Sequence, residues 1–371
     1  MRSAPKYQKL AEWIIEKVDK GELLCGDRLS TEHEMSDMFQ VSRETVRHAI
    51  SVLEKEGIVE CRQGSGNYIS RKKDIQPKKA EKGSVVIVST YSNAYIFLSI
   101  IDHMQHILED AGYYVQISFT RNRLDKEREV LERLLQTKDI SGLIIEPTKS
   151  SLPNPNLDLY RKLCGRKIPI LFFNSSYPEL PFPHISLDDR EAGYRAASIL
   201  MDMGHRKVGG VFKSDDRQGL LRYQGYQEAL MERRLPLDDE GVIWIDTEDQ
   251  RTMVKDEQRF LRRLKNCTAC VAYNDEVAYN LEIICGRHKI MIPRDLSIAS
   301  IDNSELAGIC EVPLASVVHP LGKLGEKAAE NMLRLIEEPD FDANYEFAAR
   351  MNGVRDSVCC CQEGSKEDYG K

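Results

Sequence analysis

The spacing of apolar residues changes character near residue 72. Before it, apolar residues recur every three or four positions, as on one face of a helix; the first segment has Leu10, Trp13, Ile14 and Val18 in this register. Glycines interrupt the pattern, and two short alternating runs, IVECRQ and GNYIS, follow around the turn GSG. Three helices that end in a hairpin are typical of a winged helix-turn-helix, which is predicted for residues 1–72.

Two of these helices carry recognisable end signals. Thr31 is placed to cap the helix in TEHEMSDMFQ. Ser42 is placed to cap a longer helix that runs to Glu56 and stops at Gly57. One apolar stripe of this longer helix is expected to face the core, formed by Val46, Ala49, Ile50 and Leu53.

The exposed face of the same helix is rich in long hydrogen-bond donors. Arg43 and Arg47 lie together at helical spacing, with Glu44 beside them. Arginines at the start of such a helix can contact guanine or phosphate in DNA. A solvated helix face without a partner would have the same pattern. Lys6 before the first helix and Gln63 in the hairpin favour the DNA-binding interpretation.

A basic segment separates this region from the rest of the chain. Residues 71–82, RKKDIQPKKAEK, contain six Lys/Arg and two acids, and we assign 73–82 as a linker. Beyond it, short apolar runs alternate with amphipathic helical segments, which predicts an α/β domain of parallel sheets in two lobes over residues 83–358. Residues 359–371 are predicted to be a disordered tail. The predicted strands are SVVIVST, YYVQISFT, GLIIEP, IPILFFN, KVGGVF, GVIWI, ACVAYN and LSIASID.

Composition restricts the classes of function. The 371 residues are 42% hydrophobic and 30% charged, which is typical of folded globular proteins. The net charge of −7 means that any contact with nucleic acid depends on a local basic patch. No segment has the pattern of a signal peptide or a membrane span, so we expect a cytoplasmic protein with reduced cysteines.

Polar residues follow the predicted strands where a two-lobed α/β domain binds its ligand. Carboxylates, amides and an arginine that converge on a cleft suit a polyhydroxyl ligand, because each can exchange hydrogen bonds with hydroxyl groups. An aromatic ring there could cover the apolar face of a sugar. Each residue could instead be solvated or cap the next helix. The candidates are Phe97, Glu146, Asn174, Asp216, Gln218, Arg222, Asn274, Asp302 and His319.

The N-terminal region resembles the DNA-binding domain of the GntR family. The resemblance is carried by GDRLSTEHEMSDMFQVSRETVRHAISVLEKEGIVECRQGSGNYIS, with Ser30 in place of the usual proline. It implies that Arg43 and Arg47 contact double-stranded DNA. It also implies that Glu44 helps to set base preference, and that Gln63 and Gly64 lie in the wing.

The large domain resembles the effector domain of the LacI/GalR family, which is related to periplasmic sugar-binding proteins. LDDREAGYRAASILMDMGHRKVGGV, RYQGYQEAL, AYNDEVAYNL, IPRDLSIASIDN and PLASVVHP carry this resemblance. It implies a homodimeric repressor. Effector contacts are implied at Asn174, Arg222, Asn274, Asp302 and His319, with Asp216, Gln218 and Phe97 at further pocket positions.

The segments TYSNAYIFLSII, IEPTKSSLPNPN, FFNSSYPEL and FKSDDRQGLLRYQGY are similar to the pocket loops of arabinose-responsive regulators. The resemblance therefore implies L-arabinose as the effector and arabinose-utilisation genes as the regulated genes. Another sugar or a nucleoside stays open as the effector.

Other classes of function fit the sequence less well. No nucleophile elbow, P-loop or zinc-protease helix is present, so no catalysis and no cofactor are expected. A periplasmic sugar-binding protein would lack the DNA-binding region. Cys267 and Cys270 form a single C-x-x-C pair, which cannot complete a tetrahedral zinc site, so buried thiols are expected there and no metal.

Overall fold

A computed structural model describes residues 10–11, 13–15, 17, 27–39, 41–55, 58–62, 66–69, 82–91, 95–353 and 356–361. The chain forms two compact units, Met1–Glu81 and Lys82–Lys371. The predicted linker up to residue 81 lies outside the described residues. Among the residues described, no helix is both long and apolar enough to cross a bilayer.

The first unit contains the predicted helices and hairpin. Residues 10–17 include helical positions, followed by α1 (Glu32–Phe39), α2 (Arg43–Lys55), β1 (Val59–Arg62) and β2 (Gly66–Ile69). The two strands pair in antiparallel fashion, and the turn between them lies outside the described residues.

Both predicted N-caps are confirmed. The backbone N–H of Glu34 donates to Thr31 Oγ1 at 3.3 Å, and the Glu34 carboxylate accepts from the Thr31 backbone N–H at 2.7 Å, which is a capping box. The Thr45 N–H donates to Ser42 Oγ at 3.2 Å. The predicted stripe of α2 is buried with Leu10, Ile14 and Ile69, so local pattern and packing agree in this unit.

The second unit begins with a lobe of strand–helix units. Its elements are β3 (Ser84–Ser89), α3 (Phe97–Asp110), β4 (Tyr114–Phe119), α4 (Leu124–Gln136), β5 (Ile140–Ile145), α5 (Leu157–Gly165), β6 (Ile170–Phe173) and β7 (His184–Leu187).

The second lobe follows with the same alternation. Its elements are α6 (Asp189–Asp202), β8 (Val208–Lys213), α7 (Arg217–Glu232), β9 (Val242–Ile245), α8 (Thr247–Thr252), α9 (Glu257–Leu264), β10 (Ala269–Ala272), α10 (Asp275–Arg287), β11 (Ser297–Asp302), α11 (Glu305–Ile309) and β12 (Ala315–Val318). Short 3-10 turns lie at Asp239–Gly241 and Met253–Asp256. The chain then returns to the first lobe as α12 (Leu321–Glu337) and β13 (Tyr345–Phe347).

Each lobe is built on one parallel sheet, as predicted. The first has the order β13-β7-β6-β5-β3-β4 and the second the order β12-β11-β10-β8-β9. All eight predicted strands form. The sequence pattern missed β7, β12 and β13, which are only three or four residues long.

Helices cover both faces of each sheet. In β3 every residue is buried, and successive side chains point to opposite faces. Val85 and Ile87 pack in a cluster with Met104 of α3. Val86 and Val88 pack in another cluster with Leu131 of α4. The polar carboxyl ends of the strands are therefore the part of the sheet left free to build a site.

Helix α7, which carries the predicted site residue Arg222, packs closely on α6. A Cβ atom at Gly193 would lie 1.9 Å from the carbonyl oxygen of Arg222, and one at Gly225 would lie 1.8 Å from that of Arg190. Only glycine permits this approach of the two backbones. The position of Arg222 relative to α6 is thereby set by the backbone.

The predicted disordered tail is wrong for its first three residues. The Cys359 N–H donates to Ser297 Oγ at 3.2 Å, and the Cys361 N–H donates to the Met203 carbonyl oxygen at 2.9 Å. His205 Nε2 lies 3.0 Å from the Cys359 carbonyl oxygen. These bonds hold the backbone without apolar side chains, which explains why composition did not reveal them. Residues 362–371 lie outside the described residues.

Candidate functional site

A cavity of about 270 Å³ lies where the carboxyl ends of the two sheets face each other. Its volume is just below the range of roughly 300–1,000 Å³ for small-molecule pockets, which favours a small ligand. All but one of the predicted effector residues line it: Phe97, Glu146, Asn174, Asp216, Gln218, Arg222, Asn274 and Asp302.

Arg222 is the centre of the second-lobe side of this cavity. The residue is 1% exposed, and its Nε donates to Asp189 Oδ1 at 2.8 Å. Its Nη1 donates to the Tyr273 carbonyl oxygen at 2.6 Å, and its Nη2 to Asp302 Oδ1 at 3.4 Å. The guanidinium lies over the Tyr273 ring, 4.7 Å from the centroid. Every side of the arginine is thus occupied.

Burial and pairing act in opposite directions on this cluster. Burial lowers the pKa of Arg222. Asp189 and Asp302 raise this pKa by more than burial lowers it, so the net shift is upward. Burial raises the pKa of Asp189 to about 6, although Arg222 opposes this shift. The cluster is a hydrogen-bonded group that holds the Asp302 side chain in place at the cavity.

Lys213 and Asp216 form a second charge pair beside the first. Lys213 Nζ lies 3.1 Å from Asp216 Oδ2, which also accepts from the Tyr273 hydroxyl at 2.7 Å. Burial lowers the pKa of Lys213, but Asp216, Tyr91 and Asp215 raise it more. Asp216 Oδ1 accepts from the Gly219 N–H at 2.7 Å and so caps α7. Asp216 therefore serves the helix and the cavity together.

Asn274 has a similar double role. Its Oδ1 accepts from the Val277 N–H at 3.0 Å and caps α10, while the residue also lines the cavity. Its amide nitrogen is the group left for a ligand, and it can only donate.

The first-lobe side is built around a carboxylate held by neutral donors. Glu146 Oε1 accepts from Asn174 Nδ2 at 2.9 Å, while Oε2 accepts from the Thr90 N–H, Thr90 Oγ1 and Ser89 Oγ at 2.8, 2.5 and 3.0 Å. Burial raises the pKa of Glu146, and these bonds oppose the shift. Asn174 Oδ1 is buried and has no partner among the described residues. An acceptor buried without a donor is costly, so this oxygen is available for a hydroxyl group.

Aromatic rings complete this side. Tyr91 and Phe97 lie with ring centroids 5.3 Å apart, and both line the cavity. The Tyr95 hydroxyl donates to Asp302 Oδ2 at 2.7 Å and so joins the two lobes. Asp302 itself has a φ of 107°, a region that non-glycine residues rarely adopt and that is common at binding sites.

A separate surface in the first unit fits contact with nucleic acid. On α2, Val46 is fully buried while Arg43, Glu44 and Arg47 are exposed. The arginines thus lie on the face that points away from the core, as predicted. Lys6, Gln63 and Gly64 lie outside the described residues.

Comparison with known proteins identifies the family. Residues 6–69 match the bacterial regulatory proteins of the gntR family, and residues 197–358 match the periplasmic binding protein-like domain. The arabinose metabolism transcriptional repressor of Geobacillus stearothermophilus is 36% identical over 345 residues, which are 92% of this chain and 94% of that protein. The protein of the same name from Halalkalibacterium halodurans is 35% identical over 337 residues, or 90% of each chain. The chain belongs to this family of repressors.

Solved structures agree with this assignment at the level of fold. The transcriptional regulator CelR in its cellobiose complex superposes with a TM-score of 0.66 at 20% identity, covering 86% of this chain and 92% of that one. The predicted combination of a GntR-type DNA-binding domain with a periplasmic binding protein-like domain is confirmed. The chain is a sugar-responsive transcriptional repressor, and its relatives are transcriptional regulators.

His319 is the predicted effector residue that the structure does not place at the cavity wall of the repressor. It is 3% exposed, and its backbone N–H donates to the Asp302 carbonyl oxygen at 3.1 Å. Burial lowers the pKa of its ring to about 4, so the ring is neutral. Neither ring nitrogen has a partner among the described residues. His319 lies at the end of β12, where the chain leaves the second lobe, and this position explains its burial.

Several cavity residues of the repressor were missed by sequence reasoning. Lys213 ends an apolar strand and Tyr273 precedes a helix cap, so the pattern of neither element indicates a site. Tyr91 and Tyr95 lie in the segment TYSNAYIFLSII, of which only Phe97 was a candidate. A lysine in an otherwise fully buried strand was the one signal that could have been found, because buried lysines require a partner.

Proposed function

We propose that this repressor binds L-arabinose between its lobes and leaves its operator when the sugar is bound. The observation that carries the proposal is the charge pairing at the cavity. Among the described residues, each cation that lines it is held by a carboxylate: Lys213 by Asp216, Arg222 by Asp189, and Arg251 by Glu248. A phosphorylated sugar would need an unpaired cation, whereas a neutral sugar needs only donors and acceptors.

The remaining polar groups suit hydroxyl groups on a small ring. The free oxygen of Asn174 accepts from one hydroxyl, and Asp302 and Glu146 accept from others. Asn274 and Gln218 donate. Phe97 and Tyr91 cover an apolar ring face. The choice of L-arabinose is supported by the two relatives named as arabinose metabolism repressors.

Calorimetric titration of the full chain tests this proposal. L-arabinose, D-galactose, D-xylose, D-ribose and arabinose 5-phosphate are compared. We expect arabinose to bind in the micromolar range, at least about tenfold (1.4 kcal/mol) tighter than the others. Tighter binding of another neutral sugar would replace the effector. Tighter binding of the phosphate ester would contradict the charge argument.

We further propose that α2 enters the major groove of a double-stranded operator. Arg43 and Arg47 contact bases or phosphates, and Glu44 sets base preference. The rest of the DNA-binding domain adds contacts through Lys6, Gln63 and Gly64. Replacing Arg47 by Ala should weaken operator binding by roughly 10–100-fold, the value of one bidentate contact, without changing the sugar titration. Glu54→Ala on the same helix is the matched control, and an equal loss there would contradict the assignment.

A homodimer would present two such DNA-binding domains to an operator with two-fold symmetry. Exposed apolar side chains on the edge strand β4 support an interface there: Tyr114, Ile117 and Phe119 are exposed, as is Leu98 on the neighbouring α3. Ile117→Arg should yield a monomer in sedimentation analysis, whereas Leu237→Arg, also at an exposed apolar residue, should not. If both variants remained dimeric, this surface would be excluded as the dimer interface.

Release of DNA follows if the sugar binds one arrangement of the lobes better than the DNA-bound arrangement. A repressor that meets operator DNA in this way acts in the cytoplasm. Fluorescence anisotropy of a labelled operator should fall as arabinose is added, at concentrations set by the calorimetric affinity.

A further inference from the structure

Glu127 is a buried carboxylate that takes no part in the cavity wall. It lies on α4 and is 1% exposed. Its Oε1 accepts from the Tyr160 and Tyr177 hydroxyls, each at 2.7 Å. Its Oε2 accepts from the Asn154 and Asn156 side-chain amides, each at 2.8 Å. Four neutral donors on one buried carboxylate form a complete network, which ordinary packing of α4 does not require.

Two of these donors belong to residues 147–156, which we call the interlobe loop. The loop has no helix or strand, so several of its polar backbone groups depend on side chains for partners. Tyr177 shares its hydroxyl proton between Glu127 and the Thr148 carbonyl oxygen, at 2.7 Å from each. Asn154 and Asn156 hold the other end of the loop. Glu127 thus anchors both ends of the interlobe loop in the first lobe.

The middle of the interlobe loop contacts the second lobe. Lys149 Nζ lies 3.3 Å from Asp215 Oδ2. Ser150 Oγ accepts from the Arg217 N–H at 2.9 Å, and Ser151 Oγ donates to the Ser214 carbonyl oxygen at 2.5 Å. Three consecutive residues therefore bond to the segment between β8 and α7 or to the first residue of α7.

A neighbouring asparagine reinforces this contact. Asn122 Oδ1 accepts from the Lys149 N–H at 2.8 Å, and its amide donates to Thr247 Oγ1 at 2.7 Å in the second lobe. Pro147 and Ser150 of the loop also line the cavity. The interlobe loop is consequently both a wall of the cavity and a bridge between the lobes.

We propose that Glu127 is a positioning residue for effector binding. It holds the interlobe loop in the shape that lets Lys149, Ser150 and Ser151 bond to the second lobe, and so favours closed lobes around the ligand. A loop ordered in advance loses less conformational entropy when the lobes close. The inference rests on the proposed binding of a sugar in this cavity.

Two tyrosines of the network provide a matched pair of variants. Tyr160 and Tyr177 are both fully buried in the same apolar cluster and donate to the same oxygen of Glu127. Only Tyr177 also bonds to the interlobe loop. Tyr160→Phe and Tyr177→Phe therefore remove equal hydroxyls from the carboxylate, but only the second releases Thr148.

Calorimetric titration of the full chain with L-arabinose is the first readout. We expect Tyr177→Phe to raise the dissociation constant about fivefold, as for one lost hydrogen bond, and Tyr160→Phe to change it less than about twofold. Lys149→Ala, which removes one contact between the interlobe loop and the second lobe without touching the cavity wall, should act like Tyr177→Phe. Lys162→Ala, which breaks the exposed pair with Asp158 in the same lobe, is its control. Equal effects within either pair would overturn the proposal.

Hydrogen–deuterium exchange of peptides that cover residues 147–156 is the second readout, in protein without sugar. Faster exchange in Tyr177→Phe than in Tyr160→Phe is expected. Equal exchange would overturn the role of the Glu127–Tyr177 pair as an anchor of the loop. If the wild-type chain bound none of the sugars, the proposed effector would be wrong, while this comparison would still decide whether Glu127 positions the loop through Tyr177.

Discussion

The two lobes share one architecture but differ in the charged side chains that they contribute to the cavity. The second lobe supplies charges that are already paired: Arg222 with Asp189 and Asp302, and Lys213 with Asp216. The first lobe supplies aromatic rings, amides and a single carboxylate, Glu146, whose donors are neutral. Parallel sheets alone do not determine which chemistry a strand end carries.

The difference indicates which lobe is prepared before the ligand arrives. Buried ion pairs have a strict geometry, and breaking one leaves an uncompensated charge, so the second-lobe groups are fixed in place. Neutral hydroxyls and amides can exchange partners at low cost. We therefore expect the second lobe to set the position of the ligand and the first lobe to adjust around it.

The strongest test of this contrast removes Arg222. Arg222→Ala leaves the Asp189 and Asp302 carboxylates buried without their cation, so the free energy of unfolding should fall by roughly 3–5 kcal/mol. Binding of arabinose should weaken more than about 100-fold, or 2.7 kcal/mol, in calorimetry. Operator binding should persist below the melting temperature.

Arg251→Ala is the matched control for that variant. Arg251 also lines the cavity, but its pair with Glu248 is exposed. Exposed pairs contribute at most about 1 kcal/mol, so sugar binding should change less than fivefold. A similar loss in both variants would mean that burial of the pair is not what matters.

On the first-lobe side, Glu146→Gln should have a smaller effect. The new amide nitrogen would face Asn174 Nδ2, and the Asn174 amide would have to turn so that its oxygen accepts. The cavity would then meet a donor where the free oxygen of Asn174 had been. We expect sugar binding to weaken about tenfold with little change in melting temperature, because each hydrogen bond that residue 146 makes is kept. A large loss of stability would show that this lobe is as rigid as the other.

The contact between the lobes should matter less again. Tyr95→Phe removes the hydroxyl that donates to Asp302, so arabinose affinity should fall about threefold to fivefold, as for one neutral-to-charged hydrogen bond partly replaced by water. Tyr113→Phe, a buried tyrosine of the first-lobe core, is the control. Unchanged affinity in Tyr95→Phe would mean that Asp302 is oriented by Arg222 alone.

The sequence predicted the strands and helices around this site better than the side-chain contacts within it. Apolar runs such as SVVIVST show buried parallel strands, because burial on both faces requires continuous apolar residues. The strands β7 (HISL) and β13 (YEF) contain polar residues and so lack such a run, and their place depends on pairing across the sheet. Thr31 and Ser42 identified their caps because the capping bonds are local.

The side-chain contacts within the site join residues that lie far apart in the chain. Arg222 meets Asp302 across 80 positions, and no local pattern encodes this. His319 was expected at the cavity because it is a polar residue that follows a strand, and it is buried against the backbone of Asp302. Strand-end position therefore predicts proximity to the cleft, whereas orientation follows from packing.

The smallest effect on sugar binding should come from Asp275, a second-lobe carboxylate held only by neutral donors. It accepts from Ser300 and Ser316 on Oδ1, and from the N–H and hydroxyl of Ser304 on Oδ2. Burial, followed by Asp302, raises its pKa from 3.8 to about 6. The folded protein then holds a proton that the unfolded chain has lost between about pH 4 and 6. The contribution of Asp275 to the free energy of unfolding should therefore fall by up to about 3 kcal/mol as the pH rises through this range.

Asp275→Asn isolates this contribution. The asparagine oxygen can accept from Ser304, and its amide can donate to the two serine hydroxyls, which rotate to accept. Denaturant unfolding of both proteins from pH 4 to 7 should give a difference that grows in favour of the variant as the pH rises. His319, whose pKa is lowered to about 4, produces the opposite slope in both proteins and so drops out of that difference. A difference that is constant with pH would mean that Asp275 is ionised in the folded state, and that neutral donors stabilise a buried charge in this lobe as well as Arg222 does.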